Sequence, residues 1–341
     1  MDIRGSRGPA MTDVARLAGV SHQTVSRVLN DHPNVKEQTR LRVRAAIAEL
    51  GYRPNRAART LVTGRSQLLG IVTLNSTLFG PASLLSAFEQ AAAEAGFAVS
   101  VASVVRLDRE SVAAAVDRHL DQRVAGLVVI APTASAGEGL DALPAGVPVV
   151  TIDGDPTKAH GLVTVDQVAG ARAATQHLLD AGHRTVWHVS GPPDWYDAAG
   201  RIEGWRRTLL DAGAEVPPPV PADWSAAQGY AAGQMLARVP EVTAVFTAND
   251  HLAVGLLRAL YERGRRVPED VSVVGFDDVP EAAYLIPPLT TVRPDFAAVA
   301  QAGLDLILAQ MADADAAPGR IVVEPELVVR NSVRPKEQHR R

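Results

Sequence analysis

From Gln67 onward, short apolar runs alternate with amphipathic stretches, and this alternation narrows the possible architectures more than any other feature of the chain. The apolar runs fall at 68–74, 97–104, 126–130, 148–152, 185–189, 244–247 and 271–276. Between most of them, the stretches 83–95, 110–122, 167–180, 202–211, 226–238 and 252–263 carry apolar residues at helical spacing. Strand and helix in alternation imply parallel sheets covered on both faces. About ten such elements exceed the width of one ordinary open sheet. The pattern therefore predicts two α/β lobes, with a ligand at the carboxyl ends of the strands between them.

The size fits that picture, since 341 residues with 47% hydrophobic content can bury more than one core. No run of the ~18 apolar residues that a membrane helix needs occurs. Residues 1–10 are polar, carry Arg4 and Arg7, and lack an apolar segment followed by a cleavage signal, so a soluble cytoplasmic protein without a membrane partner is expected. The absence of cysteine excludes disulfides, thiolate metal sites and cysteine nucleophiles. Charge is unevenly divided: residues 1–65 hold 12 Lys and Arg against 5 Asp and Glu, and the remainder holds 22 against 33. A small basic head on a large acidic body suggests that only the head meets a polyanion, although a solvated basic surface would look the same by charge alone.

Periodicity within the head favours the first of these. Thr12 is placed to cap a helix carrying Val14, Leu17 and Ala18 and stopped by Gly19. Ser21 is placed to cap a second helix with Val25, Val28 and Leu29 on one face, and Glu37 begins a third in which Val43, Ala46, Ile47 and Leu50 recur before Gly51. Two helices around a Gly-Val-Ser turn, followed by a longer supporting helix, match a helix-turn-helix. Burying Val25, Val28 and Leu29 leaves His22, Gln23, Ser26 and Arg27 outward, and glutamine and arginine have bidentate matches to adenine and guanine.

The segments TDVARLAGVSHQTVSRVLN and GYRPNRAARTL within residues 12–61 resemble the DNA-binding region of the LacI/GalR family, and the resemblance continues through nearly the whole chain. It implies an N-terminal all-α helix-turn-helix head at 11–54, a hinge helix and linker at 55–66, and an α/β two-lobed periplasmic-binding-protein-like body at 67–335. Lobe 1 would comprise about 67–165 and 293–323, and lobe 2 about 166–292 and 324–335. His22, Gln23 and Arg27 fall on the family's base-reading positions, while Thr12, Ser21, Thr24, Ser26, Asn30 and Thr39 fall where phosphate and positioning contacts are made. Asn55, Arg56 and Leu61 fall in the hinge helix, where Leu61 would act as an apolar wedge in the minor groove. The alternative is an ordinary linker with one exposed leucine.

Candidate binding groups in the body stand just after strands. Asp153 follows 148–152, Asn249 follows 244–247, Asp277 follows 271–276, and Arg201 is read as opening the helix after the 191–199 loop. These groups hydrogen-bond adjacent hydroxyls, and Trp224 and Phe296 offer aromatic faces, a combination that favours a neutral polyhydroxylated ligand. By the family resemblance all six match inducer-contacting positions, and Leu78, Gly80, Pro81 and Leu84 match the apolar wall of lobe 1. Leu74 and Pro294 depart from polar residues of the family's sugar site, and Asn75 is the nearest replacement for the first. Simpler roles exist for each: a turn for Asp277, a helix cap for Asn249, a structural ion pair for Arg201, plain core for the aromatics.

No phosphate loop, nucleophile elbow, HExxH or strand-then-GxGxxG turn is present. His177, His183 and His188 fall on different elements, and paired Asp277 and Asp278 suit hydrogen bonding or capping more simply than metal binding. No enzyme, metal or cofactor is therefore expected. The expectation is a sequence-specific repressor of carbohydrate genes, released from operator DNA by a sugar inducer such as a galactoside or other glycoside. The alternatives are a nucleobase acting as co-repressor on the same fold, a sugar-binding transport receptor, and a carbohydrate enzyme using Asp153 and Asp277. The residues after Arg330 are polar and basic and hold no leucine heptad, so a homodimer is expected.

Overall fold

The computed structural model describes residues 9–29, 32–52, 66–74, 77–106, 108–136, 146–155, 157, 160–313 and 318–334. The chain divides into two compact units at Gln67 and Leu68. In the first, helices α1 (Met11–Ala18), α2 (His22–Leu29) and α3 (Glu37–Leu50) bury Val14, Ala15, Ala18, Val25, Val28, Val43, Ala46 and Tyr52 against one another. Gly19 takes the left-handed conformation that ends α1 (φ 62°), and the next N–H, of Val20, donates back to the Ala15 carbonyl at 3.1 Å.

Two expectations about α1 are corrected. Its N-cap is Ala10, whose N–H donates to Asp13 Oδ2 at 2.9 Å, so the helix enters earlier than expected and Thr12 lies exposed in its first turn. Leu17 is 46% exposed, because Val14, Ala15 and Ala18 form the face that meets the other helices.

The second unit holds two six-stranded sheets. The first contains β1 (Leu68–Leu74), β2 (Ala98–Val104), β3 (Gly126–Ile130), β4 (Val149–Ile152), β5 (Gly161–Val165) and β11 (Arg320–Val323), ordered β11-β5-β4-β3-β1-β2 and parallel throughout. In the second, β6 (Trp187–Ser190), β7 (Val220–Pro221), β8 (Ala244–Thr247), β9 (Ser272–Phe276), β10 (Thr290–Arg293) and β12 (Glu326–Val328) follow the order β12-β10-β9-β8-β6-β7. Only β12 runs antiparallel to its neighbour.

Helices α4 (Phe79–Glu94), α5 (Arg109–Asp121) and α10 (Phe296–Ala312) accompany the first sheet. Helices α6 (Gln167–Asp180), α7 (Tyr196–Asp211), α8 (Ala226–Leu236) and α9 (Asp250–Glu262) accompany the second. The chain thus passes between lobes after β5, after β10 and after β11. Strands β3, β4, β8 and β9 are buried along their whole length, as expected of parallel strands covered on both faces.

Helix α7 begins at Tyr196, six residues before the expected start, so Arg201 lies in its second turn and does not open it. Gly200 lies inside this helix and allows close packing: a Cβ at that position would lie 2.8 Å from Gln167 Cβ of α6. A tighter approach joins α8 and α9, where a Cβ on Gly255 would stand 1.9 Å from the Ala226 carbonyl. Gly255→Ala should therefore destabilise the body by about 1–3 kcal/mol through overpacking. Thermal unfolding checks this, and an unchanged melting temperature would show that the helices part without cost.

Candidate functional site

The carboxyl ends of both sheets meet around a cavity of about 530 Å3, part of it open to solvent. Its wall includes Phe79 of α4, Gln167 of α6, Asp197 of α7 and Phe296 of α10, all in first turns, together with Asn249, the N-cap of α9. Five helix N-termini therefore converge, and their dipoles favour electron-rich oxygen in the cavity. All ten expected ligand residues line it: Leu78, Gly80, Pro81 and Leu84 from lobe 1 with Asp153 and Phe296, and Arg201, Trp224, Asn249 and Asp277 from lobe 2. Pro294 lines it too, whereas Leu74 packs into the hydrophobic core. Asn75 lies outside the described residues.

Arg201 is almost wholly buried and organises the lobe 2 side. Its Nε donates to Gln167 Oε1 at 2.9 Å and its Nη1 donates to the Ala248 carbonyl. Nη2 stands 3.7 Å from both Asp197 Oδ2 and Asp277 Oδ1. The guanidinium also lies over the Phe276 ring, 3.7 Å from its centroid, and 5.5 Å from that of Trp224. Asp197 is one helical turn before Arg201, a relation hidden by the late helix start expected from sequence.

The acids are held by strained or capped turns. Asp153 and Asp277 have φ of 53° and 103°, backbone conformations uncommon outside glycine, and each directly follows a strand. Asp153 Oδ1 accepts from Thr164 Oγ1 at 3.1 Å and from the Val165 N–H at 3.4 Å. Behind Asp277, buried Asp250 accepts from Thr291 Oγ1 at 2.7 Å and the Val279 N–H at 2.9 Å, fixing the turn. Asp278 is instead engaged by Arg293 at 2.6 Å and Arg330 at 2.7 Å. Asn249 does cap a helix, accepting from the Leu252 N–H at 2.8 Å, and its Nδ2 donates to the Trp224 carbonyl at 3.1 Å. One amide hydrogen and one lone pair remain on it for a ligand.

The Trp224 ring lies against Gly191, where a Cβ would come within 2.3 Å of it. His183 sits between Thr243 Oγ1 at 3.0 Å and Ser272 Oγ at 2.9 Å, and His188 stacks between Phe246 and Trp205.

In the head, Ser21 caps α2, its Oγ accepting from the Thr24 N–H at 3.2 Å and sharing a hydrogen bond with Thr24 Oγ1 at 2.9 Å. His22, Gln23 and Arg27 are exposed on α2, while Thr24, Ser26 and Thr39 are half-buried. Asn30, Asn55, Arg56 and Leu61, and with the last three the expected hinge helix, lie outside the described residues.

Residues 10–55 match the model of bacterial regulatory proteins of the lacI family, and residues 175–333 match a periplasmic binding protein-like domain. The chain is 36% identical over 323 residues to the lactose operon repressor of Escherichia coli (strain K12), covering 94% of this chain and 89% of that protein. The chain belongs to the LacI family.

Among solved structures of this family, the lac repressor dimer bound to operator and the anti-inducer ONPF superimposes with a TM-score of 0.86 at 34% identity, covering 96% of this chain and 100% of that one. The complex of the transcriptional regulator CelR with cellobiose gives 0.70 at 34% identity, with coverages of 95% and 99%. A LacI-family chain is a DNA-binding regulator, which removes the enzyme and transport-receptor alternatives. None of its described helices is long and apolar enough to cross a membrane.

Burial, reinforced by the neighbouring Asp197, pushes the Asp153 carboxyl up to about 8. Burial likewise pushes Asp277 up to about 7 against the pull of Arg201, and Asp250 up to about 8. Such groups hold protons that the unfolded chain has already released, so stability falls as pH rises toward their folded values. Burial lowers His183 and His188 to about 4, which has the opposite slope but only below their ordinary value of 6.5. Between about pH 6.5 and 8 the carboxyls alone act, so the melting temperature of the ligand-free body should decline there and Asp153→Asn should lessen the decline. A flat wild-type profile across that window would contradict the assignment.

Proposed function

We propose that this LacI-family regulator is a homodimeric, cytoplasmic repressor of carbohydrate-utilisation genes, released from a pseudo-palindromic operator by a sugar bound between its lobes. The cavity carries the reading. Three carboxyl groups, an amide and one guanidinium meet aromatic rings there, and among the described residues Arg201 is the only cationic side chain in the wall. Hydroxyl groups both donate to carboxylates and accept from N–H groups, and the C–H face of a sugar ring rests on an aromatic face. A phosphate or dicarboxylate would face the acids with Arg201 already committed to protein partners. The operator named for the lac repressor complex and the cellobiose named for the CelR complex support the same assignment.

His22, Gln23 and Arg27 are the proposed base readers on α2, with Thr12, Ser21, Thr24, Ser26 and Thr39 positioning the helix on the backbone. A sugar acts as inducer if it binds the DNA-incompetent arrangement of the lobes more tightly than the competent one.

A thermal-shift screen against mono- and disaccharides tests the effector class, because a ligand of the folded state raises the melting temperature by mass action. A sugar hit is expected. Failure of every sugar alongside success of a nucleobase would replace induction by co-repression. Arg27→Ala should cost about 1–3 kcal/mol of binding to duplex DNA selected by the full-length protein, with the sugar-induced melting shift retained. Unchanged DNA affinity would remove Arg27 from the base readers. Arg201→Ala should abolish the sugar-induced shift while the head still binds DNA below the variant's melting temperature, and a normal shift would remove Arg201 from the site.

A further inference from the structure

Trp195 lines the cavity from lobe 2, yet the segment that carries it is fastened to lobe 1. It forms an isolated antiparallel bridge with Thr133, in the loop after β3. On one side the Ala134 N–H donates to the Asp194 carbonyl at 2.7 Å, and on the other the Tyr196 N–H donates to the Pro132 carbonyl at 3.0 Å. The Tyr196 hydroxyl adds a hydrogen bond to Asp155, again in lobe 1. Apart from the chain crossovers, this fastening ties the lobes by main-chain atoms, whose geometry is insensitive to side-chain rotamers.

The Trp195 ring meets Trp224 edge-on, with centroids 5.3 Å apart and planes at 73°. Phe79 and Phe296 form a second such corner from lobe 1, with centroids 6.1 Å apart and planes at 65°. A single pyranose presents one apolar face to one aromatic platform, whereas two corners, one from each lobe, offer platforms for two rings.

Resting on the sugar reading of the site, we propose that Trp195 is a specificity-determining residue that selects a disaccharide over a monosaccharide, and that its contact with the second ring holds the cross-lobe bridge closed. A monosaccharide fills one corner and leaves Trp195 free of the ligand. A disaccharide packs against Trp195, and the bridge on either side of it is stabilised by the same contact.

The test compares glucose, galactose, cellobiose and lactose on the wild-type protein, Trp195→Ala and Trp195→Phe, with calorimetric affinities and site-resolved amide hydrogen exchange. The wild type is expected to prefer a disaccharide over its component monosaccharide. Trp195→Ala should lose about tenfold of that preference, and Trp195→Phe should retain most of it. The disaccharide should slow exchange of the Ala134 and Tyr196 amides more than the monosaccharide does. An unchanged preference in Trp195→Ala, or latch amides indifferent to the disaccharide, would overturn the proposal and leave the sugar site standing. Binding of none of the four sugars to the wild type would overturn both.

Discussion

Burying the Arg201 guanidinium is the constraint around which the body is arranged. A buried cation is tolerated only when its donors and its charge are answered. Here the answers come from α6 through Gln167, from the end of β8 through Ala248, from α7 through Asp197 and from the end of β9 through Asp277, with the Phe276 ring beneath. One side chain thus fixes the mutual positions of four segments of lobe 2. Asp197 carries the influence across the cleft, because its charge helps to raise the Asp153 carboxyl of lobe 1. The acids outnumber the cation, and the excess is moderated by burial, which favours their protonated forms, and by the helix N-termini around them.

The same arrangement accounts for the chemistry of the site. Carboxyl groups near their titration points donate as well as accept, which suits hydroxyl partners better than a fixed anion or cation would. The left-handed turns at Asp153 and Asp277 are the geometric means of aiming short side chains back over the strand ends, and the Asp250 network holds the second of them in place.

The parallel two-lobed architecture was legible because fully buried strands such as β3 and β8 leave unbroken apolar runs in the sequence. Elements without such a run were not legible: β7 spans two residues, β11 alternates exposed and half-buried positions, and β5 is interrupted by a threonine. The ten expected ligand residues gather in one cavity because strand ends and helix starts are recognisable positions. Asp197, Gln167 and Trp195 escaped notice for particular reasons. The late start expected for α7 hid the Asp197–Arg201 spacing, and Gln167 looks like an ordinary first-turn residue. Trp195 owes its place to a bridge with Thr133, 62 positions earlier in the chain, which no local pattern encodes. In the head, Gly19, Gly51 and Ser21 marked helix ends correctly, while Thr12 misled because Asp13 supplies the bond to the Ala10 N–H.

Regulation requires that this site and the DNA-reading helix be thermodynamically linked: a sugar that prefers one arrangement of the lobes must alter DNA affinity, and DNA must alter sugar affinity by the same factor. The most direct measurement is the affinity of the full-length protein for its selected duplex, by fluorescence anisotropy, without and with a saturating sugar that raises its melting temperature. The account predicts that the sugar weakens duplex binding at least about tenfold. Tight sugar binding with unchanged duplex affinity would contradict it.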